Sequence, residues 1–444
     1  MAASAKPDVA FIGLGAMGFG MATHLVKQGY AVTGFDVWPP TLERFRAAGG
    51  NTASTPAEAV RGRDYVVCMV ATAAQAQSVV FEGENSALSA LSQGASLLVC
   101  STVPCAYIQS VAAQLAEHGR GDVHLVDCPV SGGATRAADG TLSIMAGASD
   151  EALAKGRFLL QELSDASKLY IVKGGIGAGS NMKMVHQVLA AVKILAASEG
   201  MGFAQRLGLD LAHTYEAIQS SDASAWMFGH RGPRMLSEFK PLASAIAIIL
   251  KDSGIITSEA LRLGFSTPMA STAEQVYLSS LGRGWGSDDD SSLLRLYTEG
   301  SASSESQLTE EDKAKKLSLV RGLLRGIYLC GTAESLAFAK RCGLEFDQVY
   351  ELCINAAGGS KIFEDVGPEI IDLLRGKQTA AEIKNESLQD LAGQLQEAVA
   401  EAQRLKMPLH LGSEASNLIR LALQHVPDKT QPLPRAIVAK VWSA

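Results

Sequence analysis

The stretch GAGSNMKMVHQVLAAVKILAASEG, residues 177–200, puts three chemically capable groups near the start of a long, mostly apolar helix pattern: Lys183, His186 and Gln187. Spacings of three and four residues make them neighbours on one helical face, able to converge on one small polar molecule. Two readings of the lysine are open. Its stem can cover apolar surface while the ammonium reaches water. Alternatively, the amine trades a proton with a bound alcohol or carbonyl, which a lysine does well only where burial brings its pKa toward neutrality. His186 is divided in the same way between bonding a nearby carbonyl and touching a ligand, and Gln187 between structure and ligand.

A second chemical signal lies upstream. VAFIGLGAMGFGMATHLVKQGYAVTGFD carries Gly13, Gly15 and Gly18 as GxGxxG, directly after a strand pattern and ahead of a helix pattern. The loop Gly13, Leu14, Gly15, Ala16, Met17, Gly18 can turn tightly and let backbone approach a pyrophosphate, while the helix start supplies unbonded N–H groups and partial positive charge. Asp36 closes the next strand pattern, where an acid accepts hydrogen bonds from both hydroxyls of a ribose. Val37, Trp38 and Pro39 follow it, with no Arg or Lys to receive a 2′-phosphate, so NAD is expected over NADP.

The elements that position these groups can be read from periodicity. Residues 8–173 alternate short apolar runs (DVAFIGLG, AVTGFD, DYVVCMVA, ASLLVCST, VHLVDCPVSG, LSIMAGA) with amphipathic helical segments. This pattern predicts an α/β doubly wound Rossmann domain over 1–173 with a sheet at least partly parallel. Beyond residue 174 helical periods dominate. The Gly-, Ser- and acid-rich stretch 282–313 reads as a partly ordered connection between two all-α units, 174–310 and 311–444. Those units resemble each other. AASEGMGFAQRLGLDLAHTYEAI (196–218) aligns with GTAESLAFAKRCGLEFDQVYELC (331–353) at an offset of 135 residues, and SEALRLGFSTP aligns with AEAQRLKMP at a slightly larger one. A duplicated helical domain is the expected cause. At that offset Lys183 falls on Ser318 and His186 on Arg321, so the second copy lacks the lysine.

Composition narrows the function class. A chain of 444 residues with 47% hydrophobic residues has ample length for cores. A net charge of −7 without a basic run argues against nucleic acid as a partner. Seven cysteines with no CxxC pair suggest neither a disulfide framework nor a metal site, and a reducing, cytoplasmic setting is expected. The N-terminus does not read as a signal peptide, and the longest nearly uncharged apolar run, PLASAIAIIL, is about half a membrane span. No membrane association is expected.

Four stretches together resemble the β-hydroxyacid dehydrogenase family, which includes the 3-hydroxyisobutyrate dehydrogenases: FIGLGAMGFGMATHLVKQGYAVTGFD, DCPVSGGATRAADGTLSIMAGA, GAGSNMKMVHQVL and LKDSGI. The resemblance covers roughly residues 8–300, and the helical units are similar to the C-terminal domain of 6-phosphogluconate dehydrogenases. It implies that Lys183 is the catalytic general acid/base and that Ser131, Gly132 and Gly133 hold a substrate carboxylate. It implies that Val70, Thr102 and Lys251 contact the cofactor or close over it. Most members carry Asn three and four residues after the lysine; His186 and Gln187 stand there instead, a pattern similar to the L-threonate dehydrogenase branch, as are SAWMF and GSDDDSS.

Read on their own, Ser131 is also suited to a plain turn, Lys251 to a surface helix and Trp226 to the core. Asp127 and Cys128 read as ending a strand. The expected function is NAD-dependent oxidation of a small hydroxy acid such as the four-carbon L-threonate. The alternatives are 3-hydroxyisobutyrate or tartronate semialdehyde chemistry, an NADPH-dependent imine or ketone reductase, and a non-enzymatic nicotinamide-binding protein. Asp36 and the SGG loop speak against the reductase, and the lysine motif against the binding protein. With a second helical copy able to replace a partner subunit's domain, a monomer is expected, or a homodimer through other surfaces.

Overall fold

The computed structural model describes residues 6–299, 308–377, 383, 386–426 and 431–442. The chain forms two compact units, residues 1–183 and 184–444.

The first unit is built on a parallel sheet of order β3-β2-β1-β4-β5-β6. Its strands are β1 (Val9–Ile12), β2 (Val32–Phe35), β3 (Asn51–Thr52), β4 (Tyr65–Cys68), β5 (Ser96–Val99) and β6 (His124–Asp127). Between them run α1 (Ala16–Lys27), α2 (Pro39–Ala47), α3 (Pro56–Val60), α4 (Ala73–Phe81) and α5 (Cys105–Glu117). Strands covered on both faces are apolar at nearly every position. Phe11, Val67, Leu98 and Val126 enter one core, and Ala10, Ile12, Val66, Leu97 and Val99 enter the other. The chain then adds β7 (Val130–Ser131), α6 (Gly133–Asp139), β8 (Leu142–Ala146), α7 (Asp150–Leu163) and β9 (Ser164–Ile171), with β7, β8 and β9 forming a separate small sheet. Two strands carry no apolar run in the sequence: β3 is two residues long and β9 is half exposed.

The remainder is helical: α8 (Ala178–Arg206), α9 (Leu211–Gln219), α10 (Trp226–Met235), α11 (Ile246–Arg262), α12 (Pro268–Gly282), α13 (Arg295–Thr298), α14 (Glu310–Arg341), α15 (Phe346–Ile354), α16 (Lys361–Leu374), α17 (Leu388–Arg404) and α18 (His410–Gln424). By length and composition α8 passes for a membrane span, but 94% of its apolar window is buried in protein, as a core helix requires.

The sequence repeat is visible atom by atom. Tyr215 stacks on Phe228 and its hydroxyl donates to Gly229 O; Tyr350 stacks on Phe363 and donates to Glu364 O. Pro233 and Pro368 sit inside α10 and α16 at equivalent positions. Trp226 N donates to Gly359 O and Lys361 N to Ser224 O, both at 3.0 Å, around an antiparallel bridge of Ala225 to Ser360. These partners are equivalent residues of the two repeats. A local two-fold axis therefore passes between them, and the contact is of the isologous kind normally seen between identical subunits.

Two expectations need correction. The stretch 282–299, read as part of a loose connection, is folded: Asp290 is buried against Arg231, and Leu293, Leu294 and Tyr297 are core residues. Its acids cap and pair, Asp289 and Asp290 in the interior, a distinction composition does not make; residues 300–307 of the same stretch lie outside the described residues. Trp226, expected in the core, is 43% exposed and stacks on His230 at 4.7 Å.

Candidate active site

The candidate cofactor residues of the first unit gather at the carboxyl ends of its parallel strands. The glycine loop follows β1, Asp36 follows β2, Val70 follows β4 and Thr102 follows β5. Strand order reverses between β1 and β4, which is where open α/β sheets form their binding crevice. Gly13 has φ +93°, and a Cβ there would lie 2.3 Å from Met69 O. A Cβ on Gly18 would lie 2.0 Å from Gly13 O. These two glycines close helix against strand. Gly15 differs: a Cβ there meets nothing within 4 Å, so its lack of a side chain serves no internal packing. Gly15 begins α1 with no side chain capping the first turn, leaving a space lined by backbone donors. Asp36 accepts from Leu14 N at 2.7 Å and Trp38 N at 2.9 Å, which holds its carboxylate beside the loop. Open space over an uncapped helix start, with an acid alongside, fits the pyrophosphate and ribose of NAD. Val70 N is bonded to Ser101 Oγ at 2.9 Å, fixing the turn after β4.

Ser131 ends β7, opposite Ser143 of β8. Gly132 and Gly133 follow with φ +143° and +74°; a Cβ on Gly132 would lie 2.8 Å from Arg136 Cδ. Gly132 and Gly133 are exposed at this turn and Ser131 is partly so.

Asp127 does more than end a strand. Fully buried, it accepts from Gly177 N at 3.1 Å, Ser180 N at 2.8 Å and Ser180 Oγ at 2.7 Å. Gly179 lies so close that a Cβ would be 2.3 Å from Met145 O. The start of α8 is thus nailed to the end of β6, and Lys183 follows one turn later. Burial pushes the Asp127 carboxyl up to about 6, against the opposing pull of its hydrogen bonds. Lys183 itself is only 6% exposed. Little of its side chain meets solvent.

His186 and Gln187 continue the same helix and are buried. Gln187 Nε2 donates to Asp252 Oδ2 at 2.5 Å, and Lys251 Nζ lies 2.9 Å from Asp252 Oδ1. Asp252 thereby joins two residues proposed from the sequence, although it was not itself proposed; its only signal was a place beside Lys251 in LKDSGI. Gly358 N donates to His186 Nε2 at 3.2 Å. Gly358 belongs to the second repeat, and nothing in its local sequence marks it.

Similarity to known proteins identifies the family of the chain. The family model described as the NAD binding domain of 6-phosphogluconate dehydrogenase matches residues 8–174. The model described as NAD-binding of NADP-dependent 3-hydroxyisobutyrate dehydrogenase matches twice, over 177–297 and 313–432. An L-threonate dehydrogenase of Cupriavidus necator is 36% identical over 291 residues, covering 65% of this chain and 96% of that protein. The crystal structure of a 3-hydroxyisobutyrate dehydrogenase from Salmonella typhimurium is 32% identical with a TM-score of 0.60, covering 66% of this chain and all of the other. A Plasmodium falciparum 6-phosphogluconate dehydrogenase shares the fold over 95% of this chain and 94% of its own, with a TM-score of 0.69 at 15% identity. With the Rossmann domain matched once and the helical domain matched twice, the chain belongs to the NAD-dependent β-hydroxyacid dehydrogenase family.

Proposed function

We propose that this enzyme oxidises a small hydroxy acid of the four-carbon sugar-acid type, such as L-threonate, at C2. NAD, when bound, takes the hydride. Lys183 Nζ takes the hydroxyl proton as the hydride leaves carbon, and returns it in the reverse direction. Ser131 Oγ and the N–H groups of Gly132 and Gly133 hold the substrate carboxylate. His186 and Gln187 bond the further hydroxyls that distinguish a sugar acid from a branched aliphatic hydroxy acid. Asp252 orients Gln187, and Gly13 to Gly18, Asp36, Val70, Thr102 and Lys251 serve the cofactor. The reading is carried by one observation: a nearly buried lysine one turn beyond an anchored helix start, with a histidine and a glutamine on the same face.

The Lys-x-x-His-Gln pattern and the identity to an L-threonate dehydrogenase support the sugar acid. The likeness to a 3-hydroxyisobutyrate dehydrogenase supports that substrate as the second reading. Incubating the purified chain with NAD and a panel of L-threonate, D-threonate, 3-hydroxyisobutyrate, L-serine and glycerate, and following NADH, decides between them. The largest kcat/KM is expected for L-threonate. Turnover of 3-hydroxyisobutyrate alone would favour the second reading, and no NADH from any of these acids would sink both.

A further inference from the structure

Lys193 is entirely buried in the helical unit, two turns along α8 from His186. Its ammonium donates to Gly358 O and lies 5.6 Å from the Phe363 ring and 5.8 Å from the Tyr328 ring. Among the described residues no carboxylate pairs with it. Burial pushes its amine down to about 7. A lysine held in this way costs stability, and a hydrophobic residue of similar volume would fill the space more favourably. Packing alone does not call for a lysine here.

What it holds is the turn between α15 and α16. That turn presents the N–H of Gly358 to His186 Nε2. A backbone N–H can only donate, so Nε2 must accept, and the neutral ring carries its proton on Nδ1. We propose that the turn 355–359 of the second repeat, clamped by Lys193, is part of the active site and holds His186 as the Nδ1–H tautomer, a hydrogen-bond donor toward the hydroxy acid. Lys193 and Gly358 are positioning residues. The substrate side of this inference rests on the function proposed above; the tautomer does not.

The local two-fold axis supplies the control. At the 135-residue offset the equivalents of His186, Lys193 and Gly358 are Arg321, Tyr328 and Ala223. There the side chain of Asp222 pairs with Arg321 at 2.8 Å, and no lysine clamps the turn. The clamp is found only on the half of the pseudo-dimer that keeps Lys183 and His186. The second repeat has Ser318 in place of the lysine and contributes its turn to the site of the first.

The test uses the full chain with Lys193→Met and, independently, Gly358→Ala, whose Cβ would lie 3.0 Å from Leu189 Cδ1 and displace the turn slightly. Long-range nitrogen NMR of the histidine-labelled protein, with His186 assigned by its absence in His186→Gln, is expected to show the Nδ1–H form in the parent. A mixture of tautomers is expected in both variants. KM for the hydroxy acid should rise about tenfold, as for one lost hydrogen bond, with a smaller change in kcat and none in KM for NAD. A parent inactive on hydroxy acids whose variants still shift the ring signal would sink the functional reading and keep the turn's role. Folded variants with the parent's ring signal and KM would overturn that role.

Discussion

Glu199 and Glu334, equivalent residues of the two helical repeats, each cap a helix of the other repeat. Glu334 accepts from Met269 N and Ala270 N at the start of α12, at 2.7 and 2.9 Å. Glu199 accepts from Leu411 N and Gly412 N at the start of α18, at 3.1 and 2.8 Å. Each carboxylate satisfies donors that a helix start leaves unbonded. The exchange is reciprocal, so neither repeat has a complete set of caps alone.

Both carboxyls are fully buried, and burial raises them, Glu199 to about 7 and Glu334 to about 8. A carboxyl raised above its unfolded value contributes stability that is complete below about pH 4.5 and lost as pH rises through the native value. The melting temperature is therefore expected to fall between about pH 5 and pH 8 and to level off above. Glu334→Gln should flatten part of that slope. It should also cost about 1–3 kcal/mol at pH 6, because an amide NH2 would face one of the two backbone donors. Thermal melts across pH of the parent and variant check this; a flat parent profile would contradict it.

Removing the proposed proton-transfer group should leave cofactor binding intact. Lys183→Met is expected to lower kcat about 10²–10⁴-fold, the range for a positioned general acid or base. NADH affinity, measured by fluorescence titration, should stay within about twofold. Unchanged turnover would remove Lys183 from the mechanism.

Two glycines of the phosphate loop should respond in opposite ways. Gly13→Ala forces φ +93° on a residue with a Cβ and drives it against Met69 O, so the variant should melt well below the parent. Gly15→Ala meets nothing inside the protein and should melt like the parent. Its methyl would occupy space needed for close approach of a pyrophosphate, so NAD affinity should drop at least about tenfold. Calorimetry and NADH titration on the same samples separate the effects.

Asp36 is expected to set cofactor choice. Asp36→Asn removes the charge that would repel a 2′-phosphate and weakens a charge-assisted bond to ribose. The ratio of kcat/KM for NAD over NADP should fall by about 10–100-fold. Initial rates with both cofactors measure it, and an unchanged ratio would place the discrimination elsewhere.

Deleting the second repeat tests whether it replaces a subunit. A Cβ on Gly200 would touch Leu324 and one on Gly331 would touch Val192, so α8 and α14 are in close contact. A chain ending at residue 299 exposes that apolar face and should dimerise or aggregate. Light scattering reads the outcome; a soluble, active monomer would refute the substitution idea.

The sequence by itself determined whatever rests on local geometry. GxGxxG with Asp36 is legible because a tight turn, a helix start and a strand end are each encoded within a few residues. The strand and helix alternation of the first unit and the repeat of the second are legible for the same reason. So is the shared face of Lys183, His186 and Gln187, which helix periodicity alone dictates. Only the tertiary structure decided what surrounds those groups. Asp127 reads as a strand end until Ser180, 53 residues on, donates to it. Asp252 becomes a partner of Gln187 across 65 residues, and Gly358 a partner of His186 across 172. No periodicity or turn chemistry records such pairings. The last of them exists because two helical repeats, each leaving helix ends and an apolar face unsatisfied, complete one another around a local two-fold axis; the other two exist because the chain folds back on itself within one unit.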